Sequence, residues 1–174
     1  MQGLIQVCNN SSTLIVRGLL NLLSKTEYRR AAPRDLKGIV ELGEKMHGET
    51  GFANIPFSVE RTASETMRCM LNSNYFANVA LKEGKVVGIL FGYLEQPFFT
   101  EQVAGYDCVW YVDPSCRNTM VGPRLLKQFE TWVKMNGGSV VFTTLGSNYR
   151  SDRVGKLMER MDFEYQGGFY RKDI

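Results

Sequence analysis

The chain has one histidine, His47, and its four cysteines (Cys8, Cys69, Cys108 and Cys116) form no Cys-x-x-Cys pair. A metal centre built on clustered imidazole and thiolate ligands is therefore not expected. The wide cysteine spacing gives no disulfide framework either, so reduced thiols in a cytoplasmic protein are the simplest expectation. No run of about 18 apolar residues occurs, and with it no membrane-spanning helix is expected. Leu14-Ile15-Val16 lacks a basic start before it and a small-residue cleavage site after it, which speaks against a secretory leader. Charge of one sign is scarce as well. Lys and Arg number 21 against 18 Asp and Glu, leaving +3 over 174 residues. That excess is too small and too dispersed to point to nucleic acid.

What is present suits one folded domain: 44% of the residues are hydrophobic and 22% charged. Residues 1–25 read as an N-terminal extension, compatible with a helix through Leu14, Gly18, Leu19 and Leu22, an extra strand or a loose arm. The domain proper is expected over 26–174. Glu27 to Ala32 alternates and stops at Pro33, as an edge strand does, and Leu36, Ile39, Val40 and Met46 mark a helix after it. His47 near the end of that helix suits a C-terminal dipole better than catalysis. Ser58 is a helix cap, with Val59, Ala63, Met67, Met70 and Leu71 as the buried stripe that follows.

Tyr75 to Leu81 and Val86 to Leu94 read as strands joined by a hairpin turn at Lys82-Glu83-Gly84-Lys85. Val103 to Val112 and Ser139 to Leu145 are further strands, and Ser151-Asp152-Arg153 opens a last helix before a closing strand from Glu164 to Lys172. Strands and helices in this order make a mixed α/β domain. Cys108, inside an apolar strand, reads as a small core residue, and Cys116 as the more exposed thiol.

The most informative stretch runs from Val109 to Leu126. A β-branched and aromatic run ends at Asp113-Pro114, a short polar loop follows, and Leu125, Leu126, Phe129, Trp132 and Val133 then recur at helical spacing as far as Asn136-Gly137-Gly138. Pro123 fits a helix only in the first turn, which sets the start near Met120 to Gly122. Free amides between Arg117 and Gly122, the positive end of the helix dipole and the Arg117 guanidinium make an anion site suited to a diphosphate.

This stretch resembles the acyl-CoA-binding motif of the GNAT superfamily of N-acetyltransferases. The family pattern is a strand ending in Val-x-Pro, then Arg/Gln-x-x-Gly-x-Gly/Ala. Here Val112 and Pro114 are followed by Arg117-Asn118-Thr119-Met120-Val121-Gly122, with Met120 where the family usually has its first glycine. Tyr28 to Leu36 is similar to the family's opening strand and helix, and the tail keeps the spacing of Asn-x-x-Ala-x-x-Leu-Tyr-x-x-x-Gly-Phe at Ser151, Val154, Leu157, Met158, Asp162 and Phe163. The resemblance implies a GNAT fold, a mixed, mostly antiparallel central sheet of about six strands flanked by about four helices.

It also implies direct acetyl transfer from acetyl-CoA to a primary amine of a small molecule or protein, by a monomer or homodimer without metal, nucleic acid or membrane partners. Trp110, Tyr111 and Val112 would lie along the acetyl-pantetheine arm, with the pyrophosphate on Arg117, Asn118, Thr119, Met120, Val121 and Gly122, and Ser151 nearby. A strand bulge would free a backbone amide to polarise the thioester carbonyl. The aromatic loop from Gly48 to Phe57 would shape the acceptor site or close as a flap on the core.

The chemistry needs a base for the amine, whose reference pKa is about 10. Asp107, in an apolar strand, and Glu95, at the end of the neighbouring one, are the candidates. The family's frequent proton-donating tyrosine falls at Met158, a thioether with no proton to give. Tyr149 is the substitute nearest in sequence, with Tyr165 and Tyr170 beyond. Met120 and Met158 also fit an alternative, a GNAT-fold CoA-binding or interaction module without catalysis.

Overall fold

The computed structural model describes residues 25–144, 151–168 and 171–172. The N-terminal extension up to residue 24, Tyr149 and Tyr170 lie outside the described residues. The elements are β1 (Glu27–Arg30), α1 (Leu36–Glu49), α2 (Val59–Leu71), β2 (Tyr75–Lys82), β3 (Lys85–Glu95), β4 (Val103–Val112), α3 (Val121–Met135), β5 (Gly138–Phe142) and α4 (Ser151–Arg160). One five-stranded sheet has the order β1-β2-β3-β4-β5. The first four strands are antiparallel, and β5 runs parallel to β4.

The mixed α/β class and the mostly antiparallel sheet are as expected, with one strand fewer. The closing strand expected over Glu164 to Lys172 is not formed by its described residues. Gly167 there has φ 131, outside the extended range, and Tyr165 is 81% exposed with no sheet face to cover it.

Alternation along the strands divides the core into two layers. Ala77, Val79, Ile89 and Phe91 pack with Ile39 and Leu42 of α1 and Met70 of α2. Phe76, Ala80 and Leu90 face the other way, onto Leu125, Leu126, Phe129 and Val133 of α3 and Met158 of α4. The β2–β3 hairpin turns at Glu83 and Gly84, with φ of 52 and 74, the left-handed pair that a two-residue turn requires. Ser58 caps α2 by accepting the Arg61 amide at 3.1 Å.

Helix α3 lies unusually close to the sheet. A Cβ added at Gly105 of β4 would stand 2.3 Å from Val133 Cγ2, and one at Gly88 of β3 2.7 Å from Val121 Cγ1. The absence of side chains at these points lets Val121 and Val133 touch the strands, and so sets the height and direction of the helix. At the opposite edge Arg29 of β1 grips the buried Asp35 in a two-pronged pair, Nη1 to Oδ2 at 2.6 Å and Nη2 to Oδ1 at 2.9 Å. The Ala32 amide donates to the same carboxylate at 2.8 Å. Together they fix the turn from β1 into α1, and the Arg29 guanidinium holds the Asp35 carboxyl below its usual range despite its burial.

The two cysteines of the site region are reversed relative to expectation. Cys108 sits at a bulge, where β4 shifts register between Phe91 and Gly92 of β3, and is exposed. Cys116 is buried in the short helical turn after Pro114, packed in the layer of α3. A bulge changes which side chain faces outward, and apolar composition alone does not reveal it.

Two stability outcomes are expected in urea titrations. Gly105→Ala forces Val133 and α3 away from the sheet and costs about 2 kcal/mol. Asp35→Ala leaves Arg29 without its buried partner and costs about 3 kcal/mol. Because the Asp35 carboxyl is held low in the folded state, the native pair's contribution is complete above about pH 4 and fades as pH falls below it.

Candidate functional site

Strand β4 pairs with β5 only from Val103 to Tyr106, opposite Gly138 to Phe142. From Asp107 to Val112 it keeps β3 on one side and, among the described residues, has no strand on the other. Backbone donors and acceptors along that half of β4 therefore face a gap, since a strand presents both groups along each edge. The gap opens into a cleft of about 1000 Å³, lined by β4 from Asp107 to Val112, the loop after Pro114, the start of α3, one face of α4 and the end of α1. Strand, loop and helix N-terminus thus converge on one concavity.

The loop is built from local bonds. Asp113 accepts the Ser115 amide at 2.9 Å and its hydroxyl at 2.6 Å, and Lys45 of α1 pairs with the other carboxylate oxygen at 2.7 Å. Burial opposes ionisation of Asp113, but Lys45 and Ser115 outweigh it and bring the carboxyl down to about 2. Thr119 donates to the Cys116 carbonyl at 2.6 Å and accepts the Val121 amide at 3.3 Å, closing the turn into α3. Among the described residues, the amides of Asn118, Met120 and Gly122 have no acceptor within hydrogen-bond reach.

Asn118 takes the left-handed conformation, φ 62. Met120 has φ −79 and ψ 5, which any residue can adopt, and its side chain is largely exposed. The loop's backbone therefore does not need a glycine at position 120. Gly122 packs by the Trp110 ring, its notional Cβ 3.4 Å from Cζ2. The indole Nε1 of Trp110, which also lines the cleft, is buried and has no partner among the described residues.

Arg117 is already engaged. Its Nη2 donates to Glu49 Oε2 at 2.6 Å, its Nε to the Val112 carbonyl at 3.2 Å, and its guanidinium lies 5.2 Å from the Tyr111 ring centre. Tyr111 Oη donates to Glu49 Oε1 at 2.9 Å. Burial, then this bond to a carboxylate, push the Tyr111 phenol well above its usual range. Glu49 thus ties the last residue of α1 to β4 and to the loop. Reading the sequence by motif missed it, although one signal was there: an acid at a helix C-terminus opposes the dipole and calls for a cationic partner.

Asp107 stands at the bulge, and its Oδ1 accepts the Thr144 amide at 3.0 Å. Burial raises its carboxyl to about 6, more than the Thr144 bond lowers it. Glu95 is not brought to the cleft: it is exposed, pairs with Ala104, and so lies at the far end of β4 from the loop. Met158 is buried in the layer beneath α3, and Arg153, Val154, Leu157 and Arg160 are the α4 residues that face the cleft. Tyr149 lies outside the described residues, and of Ser151 only the backbone, at the start of α4, is described. Among the described residues no group of three His, Cys, Asp or Glu side chains is arranged to hold a metal ion, and no helix is long and apolar enough to cross a membrane.

A comparison with curated proteins returns no match. Solved structures do resemble the chain. An aminoglycoside acetyltransferase from an uncultured soil metagenomic sample is 21% identical, with 86% of this chain and 96% of that one covered and a TM-score of 0.64. Glucosamine-6-phosphate N-acetyltransferase from Arabidopsis thaliana is 16% identical, over 86% and 98% of the two chains, with a TM-score of 0.68. AAC(6')-Iy in complex with the bisubstrate analogue CoA-S-monomethyl-acetylneamine is 15% identical over 87% and 100%, also at 0.68. At these identities the likeness is one of fold. A model of the acetyltransferase (GNAT) family matches residues 47–162, from the end of α1 through the cleft to the end of α4. With two-thirds of its length matched, including the strand, loop and helix that form the cleft, the chain belongs to the GNAT acetyltransferase family.

Proposed function

We propose that this chain is an N-acetyltransferase that moves an acetyl group from acetyl-CoA directly to a primary amine of a small molecule or protein. The observation that carries this reading is the open edge of β4 running into a loop with unpaired amides at the N-terminus of α3. The edge supplies hydrogen bonds for an extended, amide-containing arm along Trp110, Tyr111 and Val112. The amides of Asn118, Met120 and Gly122 and the helix dipole suit a diphosphate. A cleft of about 1000 Å³ matches a ligand of that size. Arg117 serves mainly to shape the loop, because Glu49 already balances its charge.

Acetyl-CoA brings the activated acyl group as its thioester. The chain's own residues hold it, orient it and take up a proton. Asp107, with its carboxyl raised to about 6, is largely ionised at neutral pH and basic enough to accept a proton from the acceptor ammonium, directly or through water. The bulge beside it breaks the ladder between β3 and β4, and a backbone amide freed there could polarise a carbonyl. A thiolate, with a reference pKa of about 8.5, can depart without a dedicated donor, consistent with the burial of Met158 where the family has a tyrosine. That same burial favours the second reading, a CoA-binding module without catalysis. Turnover separates the two.

Calorimetry with acetyl-CoA is expected to show micromolar binding to the native chain and a loss of at least 100-fold for Gly122→Glu, which sets a carboxylate among the loop amides. Unchanged binding in that variant would remove the loop from the site. For turnover, Asp107 is the free acid below about pH 6 and the carboxylate above it. The native kcat/KM should therefore climb as pH rises through about 6. Asp107→Asn should fall by about 100-fold and lose that limb. A retained limb would assign the base to another group.

A further inference from the structure

The cleft is short of acid. Among the described residues that line it, Asp107 is the one carboxylate, set against Arg117, Arg153 and Arg160. Glu49 stands behind Arg117 with both of its oxygens engaged. Of the residues outside the description, 1–24 and 145–150 contain no Asp or Glu, and Asp173 is the one acid. The α1 side of the cleft is instead aromatic. His47 and Phe57 meet with ring centres 5.4 Å apart, and Phe91 and Phe52 also line the cavity. Phe52 is 61% exposed and Ile55 48%. The loop from Gly48 to Phe57 is thus no flap sealed on the core but a rim with apolar side chains turned to solvent. The Arg171 guanidinium, 5.9 Å from the Phe52 ring centre, donates to Asn54 Oδ1 at 3.3 Å in the same loop.

Building on the transferase reading above, we infer that the acceptor is a primary monoamine carried on an aromatic or apolar body, not a polycation. One carboxylate matches one ammonium, and Asp107 is in place to receive it. Each further ammonium of a polyamine or aminoglycoside would find no second carboxylate among the described residues that line the cleft to offset its lost hydration. An aromatic body, by contrast, removes Phe52 and Phe57 from water and stacks on their rings.

The test is calorimetry on the full chain loaded with CoA, which carries no acetyl group to transfer, titrated with phenethylamine, spermidine and kanamycin. Phenethylamine is expected to bind at least tenfold more tightly than either polycation, and Phe52→Ala, a change at an exposed rim position, to weaken it at least threefold. Equal or tighter binding of spermidine or kanamycin overturns the inference, as does indifference of phenethylamine to Phe52→Ala. A parallel turnover assay with acetyl-CoA keeps the two levels apart. Acetylation of spermidine in preference to phenethylamine overturns the acceptor class and leaves the transferase reading standing. Failure of the native chain to bind CoA overturns the transferase reading and the acceptor class with it.

Discussion

The contact between α3 and the sheet governs the site. With Gly88 and Gly105 beneath it, the helix rests on backbone at Val121 and Val133, the two ends of its buried stripe. A helix held at both ends can neither tilt nor slide, and interiors packed this tightly transmit displacement without absorbing it. Its first turn is therefore delivered to one place, next to the last residues of β4. The loop between them has only to bridge a fixed distance, and the short bonds of Asp113, Ser115 and Thr119 suffice for that.

The rest of the cleft follows from strands that part company. Because β5 leaves β4 after Tyr106, the second half of β4 has an open edge among the described residues, and α4 lines the cleft with Val154 and Leu157. Helix α1 reaches the same region from the other layer through Lys45 and Glu49, which bind Asp113 and Arg117. Two layers that share no apolar core are thus joined by ion pairs at the mouth of the site. The Arg117–Glu49 pair is partly buried, where opposite charges are screened less than at the open surface, whereas Lys45 is exposed.

Much of this was legible in the chain because it is written in local chemistry. Lys82-Glu83-Gly84-Lys85 specifies its turn, Ser58 its helix start, and Pro123 the beginning of α3 to within a residue or two. The strand–loop–helix run from β4 into α3 was legible by the same means, since a strand, a proline and a helix N-terminus lie close together in sequence. What was missed depends on pairing across the fold. The bulge at Cys108 is a property of β3 and β4 together, Glu49 finds its role 68 residues away at Arg117, and Glu95 is removed from the cleft by register alone. The closing strand is likewise not formed by the described residues from Glu164 onward, where Gly167 has φ 131.

The left-handed Asn118 carries one more implication. By absorbing the sharp turn itself, it relieves position 120 of any demand on its backbone, and the surface offered there to an anion is made of peptide groups. Side chains in the loop are then free to drift, as methionine in place of glycine illustrates. The intolerant positions lie elsewhere, out of sight of any ligand, at the small residues under α3. A loop can in this way lose the letters of its motif while the sheet beneath it preserves the shape.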